Sequence, residues 1–353
     1  MTVPENIPPA FGIQWSSRSI SFGSTRTAIL DTDYLLNQVK EGVRRGESLF
    51  LVGGPPLGKV RAFASSHVLQ ELYQSDNLGN RHKWDKLARQ SEVEGWPRTC
   101  KSFQSFFESQ FLSHITFVDV SGMFEDDSSV EFVRNIDPKD APTAQLAILL
   151  SRLGPIVYAH DKSLWRPGLA PHPMHFQGVL AASRDLESSE SATKGVSYVG
   201  AAIAWGVNGA SNKAAALLKV PRWVPYLVLA GGLFWYFIGE ERRERAVKII
   251  KPVGDFLVEQ ARLASDSIEV LTRAVANVPT DERLECRIAE LLAELDDDEH
   301  LLAKDVQERF SERWPSISTP TIPTIRTVLV NPCFVEGPRY RFTLGENYDA
   351  EID

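Results

Sequence analysis

The stretch that most limits the fold is Asn135–Leu164, NIDPKDAPTAQLAILLSRLGPIVYAHDKSL. Asp140 stands at a helix start, with Pro142 two residues on, where the missing N–H of proline costs little. Ala144, Leu146, Ala147, Leu149 and Leu150 give that helix an apolar body, and Gly154-Pro155 ends it. Ile156-Val157-Tyr158-Ala159 then reads as a short buried strand, with Asp161 beyond its end. In open α/β sheets, ligands gather outside the carboxyl ends of the strands. An acid there and an acid at a neighbouring helix start can face one crevice.

The same grammar recurs upstream. Thr27-Ala28-Ile29-Leu30 runs into Asp31, and Tyr34–Arg45 follows with a helical pattern. Ser48–Val52 and Val60–Ala64 are strand candidates, with a GGPPLG turn between them. Ser65 and Ser66 can cap a helix that carries Glu71. Ile115–Val120 is a further strand candidate, and Val130–Arg134 belongs to a short helix. Ile13–Phe22 alternates weakly, as an edge strand would. Strands alternating with helices predict an α/β domain with a parallel sheet over residues 12–170.

The remainder divides by composition. Residues 171–194, Pro/His-rich and then Ser/Glu-rich, read as a linker. Residues 195–240 hold two apolar runs, Gly195–Asn212 and Trp223–Gly239, each at the short end for a membrane span. Trp223, Tyr226, Trp235 and Tyr236 lie near the ends of the second, as interfacial anchors would. The pair is either a transmembrane hairpin, which would keep the flanking parts of the chain on the cytoplasmic face of a membrane, or a buried helical pair. Lys213, Lys219 and Arg222 would sit in the translocated loop of a hairpin, against the positive-inside tendency. Residues 241–280 read as an amphipathic helix interrupted near Pro252. In residues 281–346, three helices precede CFVEGPRYRFTL, which has a Gly-Pro turn between strand-like pieces. That layout resembles a winged helix-turn-helix.

Charge is unevenly spread. Of the net −8, residues 281–314 contribute most, with twelve acids against five bases, so the rest is almost neutral. Total charge therefore does not exclude a nucleic-acid substrate. The predicted third helix of the C-terminal module carries only Arg326, so contact with protein, or autoregulation, is expected there and DNA is not. Three widely spaced cysteines, Cys100, Cys286 and Cys333, form neither a disulfide framework nor a zinc pattern. The N-terminus has no basic-flanked apolar run, so no secretory signal is expected.

The acids at predicted strand ends and helix starts are Asp31, Glu71, Asp140 and Asp161. Clustered carboxylates repel one another unless something positive neutralises them. Oxygen-only ligands favour hard cations, Mg²⁺ or Mn²⁺. Such an ion can activate water and offset charge building on a phosphate, which is the chemistry of phosphodiester hydrolysis. The bland alternative makes each acid a helix cap or a solvated loop residue. Asp137 reads as a turn residue before Pro138, and Asp119 is a reserve ligand.

These pieces resemble the PIN-domain family. The matching segments are Ala28-Ile29-Leu30-Asp31-Thr32, Ser66-His67-Val68-Leu69-Gln70-Glu71-Leu72, Asp137-Pro138-Lys139-Asp140-Ala141-Pro142 and Tyr158-Ala159-His160-Asp161-Lys162-Ser163-Leu164. The resemblance covers about residues 25–170. It implies a Rossmann-like PIN fold and Mg²⁺- or Mn²⁺-dependent endoribonuclease activity, with Asp31, Glu71, Asp140 and Asp161 as catalytic metal ligands. Several family members are toxins of toxin–antitoxin pairs, which adds an inhibitory protein partner, beside self-association, to the partners to consider. Two positions depart from the pattern. Asp33 stands where the family often has Asn or Ser, and Ala159 where it often has Ser or Thr. A lost hydroxyl removes a ligand or a donor that orients one. Residues 75–113 look like an enlarged insertion.

Other signals are weaker. Gly53–Lys59 (GGPPLGK) fits a phosphate-loop spacing, but Val60 replaces the hydroxyl and Pro55-Pro56 lack N–H donors, so a turn is the better reading. Arg81, Lys83, Lys86, Arg89, Arg98 and Lys101 interleave with Trp84 and Trp96, where cations can meet phosphates and rings can stack bases. Arg81, Lys83, Trp84 and Lys162 are the expected RNA contacts; the alternative is a solvated helix face. His160 could assist proton transfer or be structural, and His172 with His175 lacks further ligands for a metal. Two function classes stay open: a metal-dependent endoribonuclease, and a non-catalytic PIN-like adaptor that binds a protein or RNA.

Overall fold

The computed structural model describes residues 25–46, 60–73, 83–205, 240–278, 280–295, 299–337, 339 and 341–346. The expected strands at 13–22 and 48–52, the GGPPLGK stretch, Arg81 and the apolar run 223–239 lie outside these residues.

The first part of the chain alternates strands and helices. β1 (Arg26–Leu30) leads into α1 (Thr32–Arg45), and β2 (Val60–Ser65) into α2 (Ser66–Tyr73). Two helices follow, α3 (Lys83–Val93) and α4 (Cys100–Gln110), then β3 (Ile115–Val118) and α5 (Ser128–Ile136). Next come α6 (Ala141–Leu149), β4 (Ile156–Tyr158) and the single turn α7 (Lys162–Trp165). The four strands form one sheet in the order β3-β2-β1-β4, with all three pairings parallel. The α/β class expected from the sequence is what the chain adopts. α6 is buried on nearly every side, as a helix with apolar residues all round must be.

The described part of the expected insertion, residues 83–113, is mostly helical. Trp84, Leu87, Phe103 and Phe107 are buried on α3 and α4, and these apolar residues, spaced three and four apart, pull two amphipathic helices out of a charged sequence.

The C-terminal region contains α10 (Leu284–Ala293), β5 (Leu301–Leu302), α11 (Ala303–Arg313), α12 (Ile322–Leu329), β6 (Phe334–Gly337) and β7 (Arg341–Leu344). Its strands form an antiparallel sheet in the order β5-β7-β6. This region does not stand apart from the parallel sheet. Residues 24–179 and 271–353 cluster as one unit. One apolar core runs from Ile29, Phe63 and Val157 through Ile148 to Ile288, Leu292, Phe310 and Leu344. Charge reinforces the apolar seam. The largely buried Arg152 reaches Glu290 at 2.6 Å and Glu282 at 3.0 Å, with its guanidinium 5.2 Å from the Trp314 ring centre. Arg61 donates to the carbonyls of Ala293 and Leu295. Phe117 of the edge strand β3 exchanges backbone hydrogen bonds with Glu346, at 2.9 and 2.8 Å. The acidic window read from the sequence is thus partly spent on internal ion pairs.

A second unit comprises residues 21–23 and 180–270. Its described part is most of α8 (Phe176–Trp205) and of α9 (Glu240–Ala274). The stretch 171–194 was expected to be a linker, but it is helical from Phe176 onward. Its Ala, Leu and Glu residues are good helix formers, no proline interrupts it, and Ala182, Leu186 and Ser189 line up as a buried stripe. α9 likewise runs unbroken through Pro252, where a break was expected. Once a long helix is nucleated, the loss of one backbone hydrogen bond need not end it. Among the described residues, no helix is long and apolar enough to cross a membrane.

Candidate metal centre

The sheet order brings the acids together. β1 and β4 are parallel neighbours with Leu30 opposite Tyr158, so their carboxyl ends lie side by side. The Asp31 N–H extends this ladder by donating to the Tyr158 carbonyl at 3.1 Å. Asp31 therefore leaves β1 next to the segment that carries Asp161. Asp140 arrives on a different element, at the start of α6. A tight turn delivers it, in which the Asp137 carboxylate accepts from the Lys139 N–H at 3.0 Å. Asp137 is thus the turn residue the sequence suggested.

Asp31, Asp140 and Asp161 each offer a carboxylate oxygen within 4.8 Å of the others. All three occupy the position just before a helix, yet none uses its side chain to cap that helix. Asp127 shows the ordinary alternative: its carboxylate accepts from the Ser129 N–H at 2.9 Å. For these three acids the helix-cap reading fails. They forgo the local hydrogen bond that residues of their type usually take and converge on a shared space instead.

Burial makes that convergence costly. Asp31 is 5% exposed and Asp140 6%. Desolvation pushes the Asp31 carboxyl up to about 7; the Thr143 hydroxyl opposes this, and Asp140, Asp161 and Asp33 add to it by repulsion. Desolvation likewise raises Asp140 to about 6, opposed by the Ser163 hydroxyl and assisted by Asp161, Asp137 and Glu71. Asp161 is raised by burial and by its acidic neighbours, less the attraction of Lys83 and His160. Three mutually repelling, oxygen-only donors in a desolvated pocket fit a hard divalent cation.

Hydroxyl groups fix these carboxylates. Thr143 Oγ1 donates to Asp31 Oδ1 at 2.8 Å. Ser163 Oγ donates to Asp140 Oδ2. Thr32 Oγ1 donates to Glu71 Oε2 at 2.5 Å. Sequence alone marks none of these hydroxyls as functional. Their signal was a Ser or Thr within three residues of each acid, Thr32 beside Asp31, Thr143 beyond Asp140 and Ser163 beyond Asp161. Ala159 carries no hydroxyl, but the pocket receives them from Thr143 and Ser163 instead.

Glu71 stands beside the three-acid group rather than in it. It is close enough to raise Asp140, while its own carboxylate is engaged by Thr32 and lies 4.0 Å from Lys83 Nζ. Lys83 is also 3.8 Å from Asp33. Asp119 turns to its own loop and accepts from the Ser121 N–H and hydroxyl. Lys162 is exposed beside Asp161. Trp84, expected to stack a base, is 2% exposed and packs against Tyr73 and Phe107, so its faces are used in the core. His160 is exposed, packs edge-on against Phe176 at 5.1 Å and bears electrostatically on Asp161. Comparison with models of known families, with curated proteins and with solved structures finds no match for this chain.

Proposed function

We propose that this protein is a PIN-type, Mg²⁺- or Mn²⁺-dependent endoribonuclease. The observation that carries the reading is the convergence of Asp31, Asp140 and Asp161 from three separate helix starts, none of them capping. These three residues would hold the ion, and Glu71, next to Asp140, completes the negative field around it. When bound, a divalent cation supplies Lewis-acid stabilisation of charge developing on a phosphate and lowers the pKa of water. The chain's own contribution is position. Thr143 and Ser163 aim two carboxylates, and the burial of Asp31 and Asp140 desolvates them. Lys83, shared between Glu71 and Asp33, is a cation at the edge of the site that can turn to a phosphate. Lys162, exposed beside Asp161, is a second.

The C-terminal region runs helix, strand, helix, helix, strand, strand, the order of a winged helix-turn-helix. We assign it a protein-contact role, because its third helix offers only Arg326 to a nucleic acid.

The test is cleavage of labelled single-stranded RNA by the purified chain with Mn²⁺. Activity that requires the ion and disappears in Asp140→Asn supports the enzyme. No cleavage together with no Mn²⁺ binding supports the adaptor.

A further inference from the structure

Beyond the acids, α1 and α3 leave the site side by side. α1 begins directly after Asp31, and α3 begins at Lys83, beside Glu71 and Asp33. Between them lies an open cleft of about 510 Å³ lined by Lys40, Lys86, Arg89, Gln90, Val93 and Glu94. Lys86, Arg89, Gln90 and Val93 follow the i, i+3, i+4, i+7 spacing of one helix face, and Lys83 sits one turn earlier on the same stripe. At 1.5 Å per residue, Lys83 to Arg89 covers about 9 Å of axis. The single acid of the cleft is already engaged: Glu94 pairs with Lys40 and accepts from the Trp96 indole at 3.0 Å. Lys86 and Arg89 are exposed, and among the described residues no ion pair takes up either.

We infer that this cleft is a backbone track for single-stranded nucleic acid, entered at Val93 and leading past Arg89 and Lys86 to Lys83 and the acids. The inference rests on the nuclease reading for its direction. The lining explains the choice of occupant. Long cations with one apolar residue suit a polyanion better than an apolar protein surface. Trp84 is buried within α3, so the track has cations for phosphates without that ring for bases. Binding through phosphates alone carries no sequence information. The track therefore grips strands of different base composition about equally.

The experiment is fluorescence anisotropy with the full chain in EDTA, using labelled oligouridylate, oligoadenylate and oligothymidylate. Lys86→Glu with Arg89→Glu is compared with Lys304→Glu with Arg326→Glu, an equal charge change on exposed positions of the C-terminal region. The cleft variant should raise Kd at least tenfold on both RNA probes. Each lost phosphate contact lowers the slope of log affinity against log salt by about 0.7, so the expected drop is about 1.4. The control should do neither. Equal loss in both variants, no loss in the cleft variant, or strong preference for one RNA base overturns the track. The thymidylate arm reads whether the sugar 2′-hydroxyl matters. Because EDTA removes any need for an ion, the track can stand while the Mn²⁺ cleavage test fails. Robust cleavage with an unaffected cleft variant sinks the track alone.

Discussion

Thr143 donates its hydroxyl to Asp31 across 112 residues of sequence, at 2.8 Å in a buried pocket. One residue lies in the first turn of α6 and the other at the end of β1. This hydrogen bond opposes the desolvation that raises Asp31, so it favours the ionised form that a cation requires.

Removing a donor of this kind should therefore weaken ion binding without unfolding the chain. Thr143→Val and Ser163→Ala should each lower Mn²⁺ affinity by roughly 10- to 100-fold, the usual cost of losing a group that orients a ligand. Isothermal titration with Mn²⁺ measures it. Unchanged affinity in both variants would mean that the hydroxyls do not orient ligands.

The metal-free protein should be less stable at neutral than at mildly acid pH. Asp31 rises to about 7 and Asp140 to about 6 in the folded chain, from an ordinary value of 3.8. The folded state then holds protons that the unfolded chain has already released. Their stabilising effect is present below about 4 and is lost as pH climbs through about 6 to 7. Melting temperature in EDTA should fall across that window, and Mn²⁺ should restore it at the upper end, where the carboxylates are ionised. A flat profile between pH 5 and 7.5 contradicts this.

Neutralising Asp31 should have opposite effects on stability and ion binding. Asp31→Asn removes a buried, repelled charge and keeps an oxygen to accept from Thr143. In EDTA at pH 8 the variant should be more stable than the parent, by on the order of a few kcal/mol at about 1.4 per pKa unit. It should also lose Mn²⁺-dependent stabilisation. Urea melts with and without Mn²⁺ give both numbers.

The seam between the C-terminal region and the parallel sheet depends on a close backbone approach. Gly345 has φ +67°, and a Cβ built there would lie 2.5 Å from the Phe117 carbonyl oxygen. Gly345→Ala should cost about 1–3 kcal/mol and speed hydrogen exchange at the Phe117 amide, which bonds to Glu346. Native exchange at that amide would refute the assignment.

Arg152 is the ionic counterpart of that seam. Arg152→Met leaves Glu290 buried with less compensation, and one-sided loss of a buried pair costs about 3–5 kcal/mol. Arg313 also reaches Glu290 at 2.8 Å, so the low end is expected. The double change Arg152→Met with Glu290→Met should recover part of the loss in urea denaturation. A double variant no more stable than Arg152→Met would count against an electrostatic seam.

Much of the α/β half was legible because its signals are local. A run such as Thr27–Leu30 ending in Asp31 declares both a strand and the place where the strand stops. The mostly apolar body of Ala141–Leu150 declares a buried helix. Composition misled where it stood in for periodicity. Residues 171–194, with their Ser- and Glu-rich second half, looked like a linker, yet Ala182, Leu186 and Ser189 form a buried helical stripe. Trp84 looked available for bases because its neighbours are charged, but its burial depends on Tyr73 and Phe107, from α2 and α4.

The sequence by itself determined the alternation of β1, β2, β3 and β4 with helices and put Asp31, Asp140 and Asp161 at strand ends or helix starts, because backbone preference and side-chain period act over a few residues. It could not decide that Asp31, Asp140 and Asp161 would forgo capping and turn toward one another, nor that Thr143 and Ser163 would hold two of them. Those outcomes follow from β1 and β4 lying side by side and from α6 packing against β1 and β2. Proximity of that kind is created by burying apolar surface drawn from the whole chain, and no short stretch contains it.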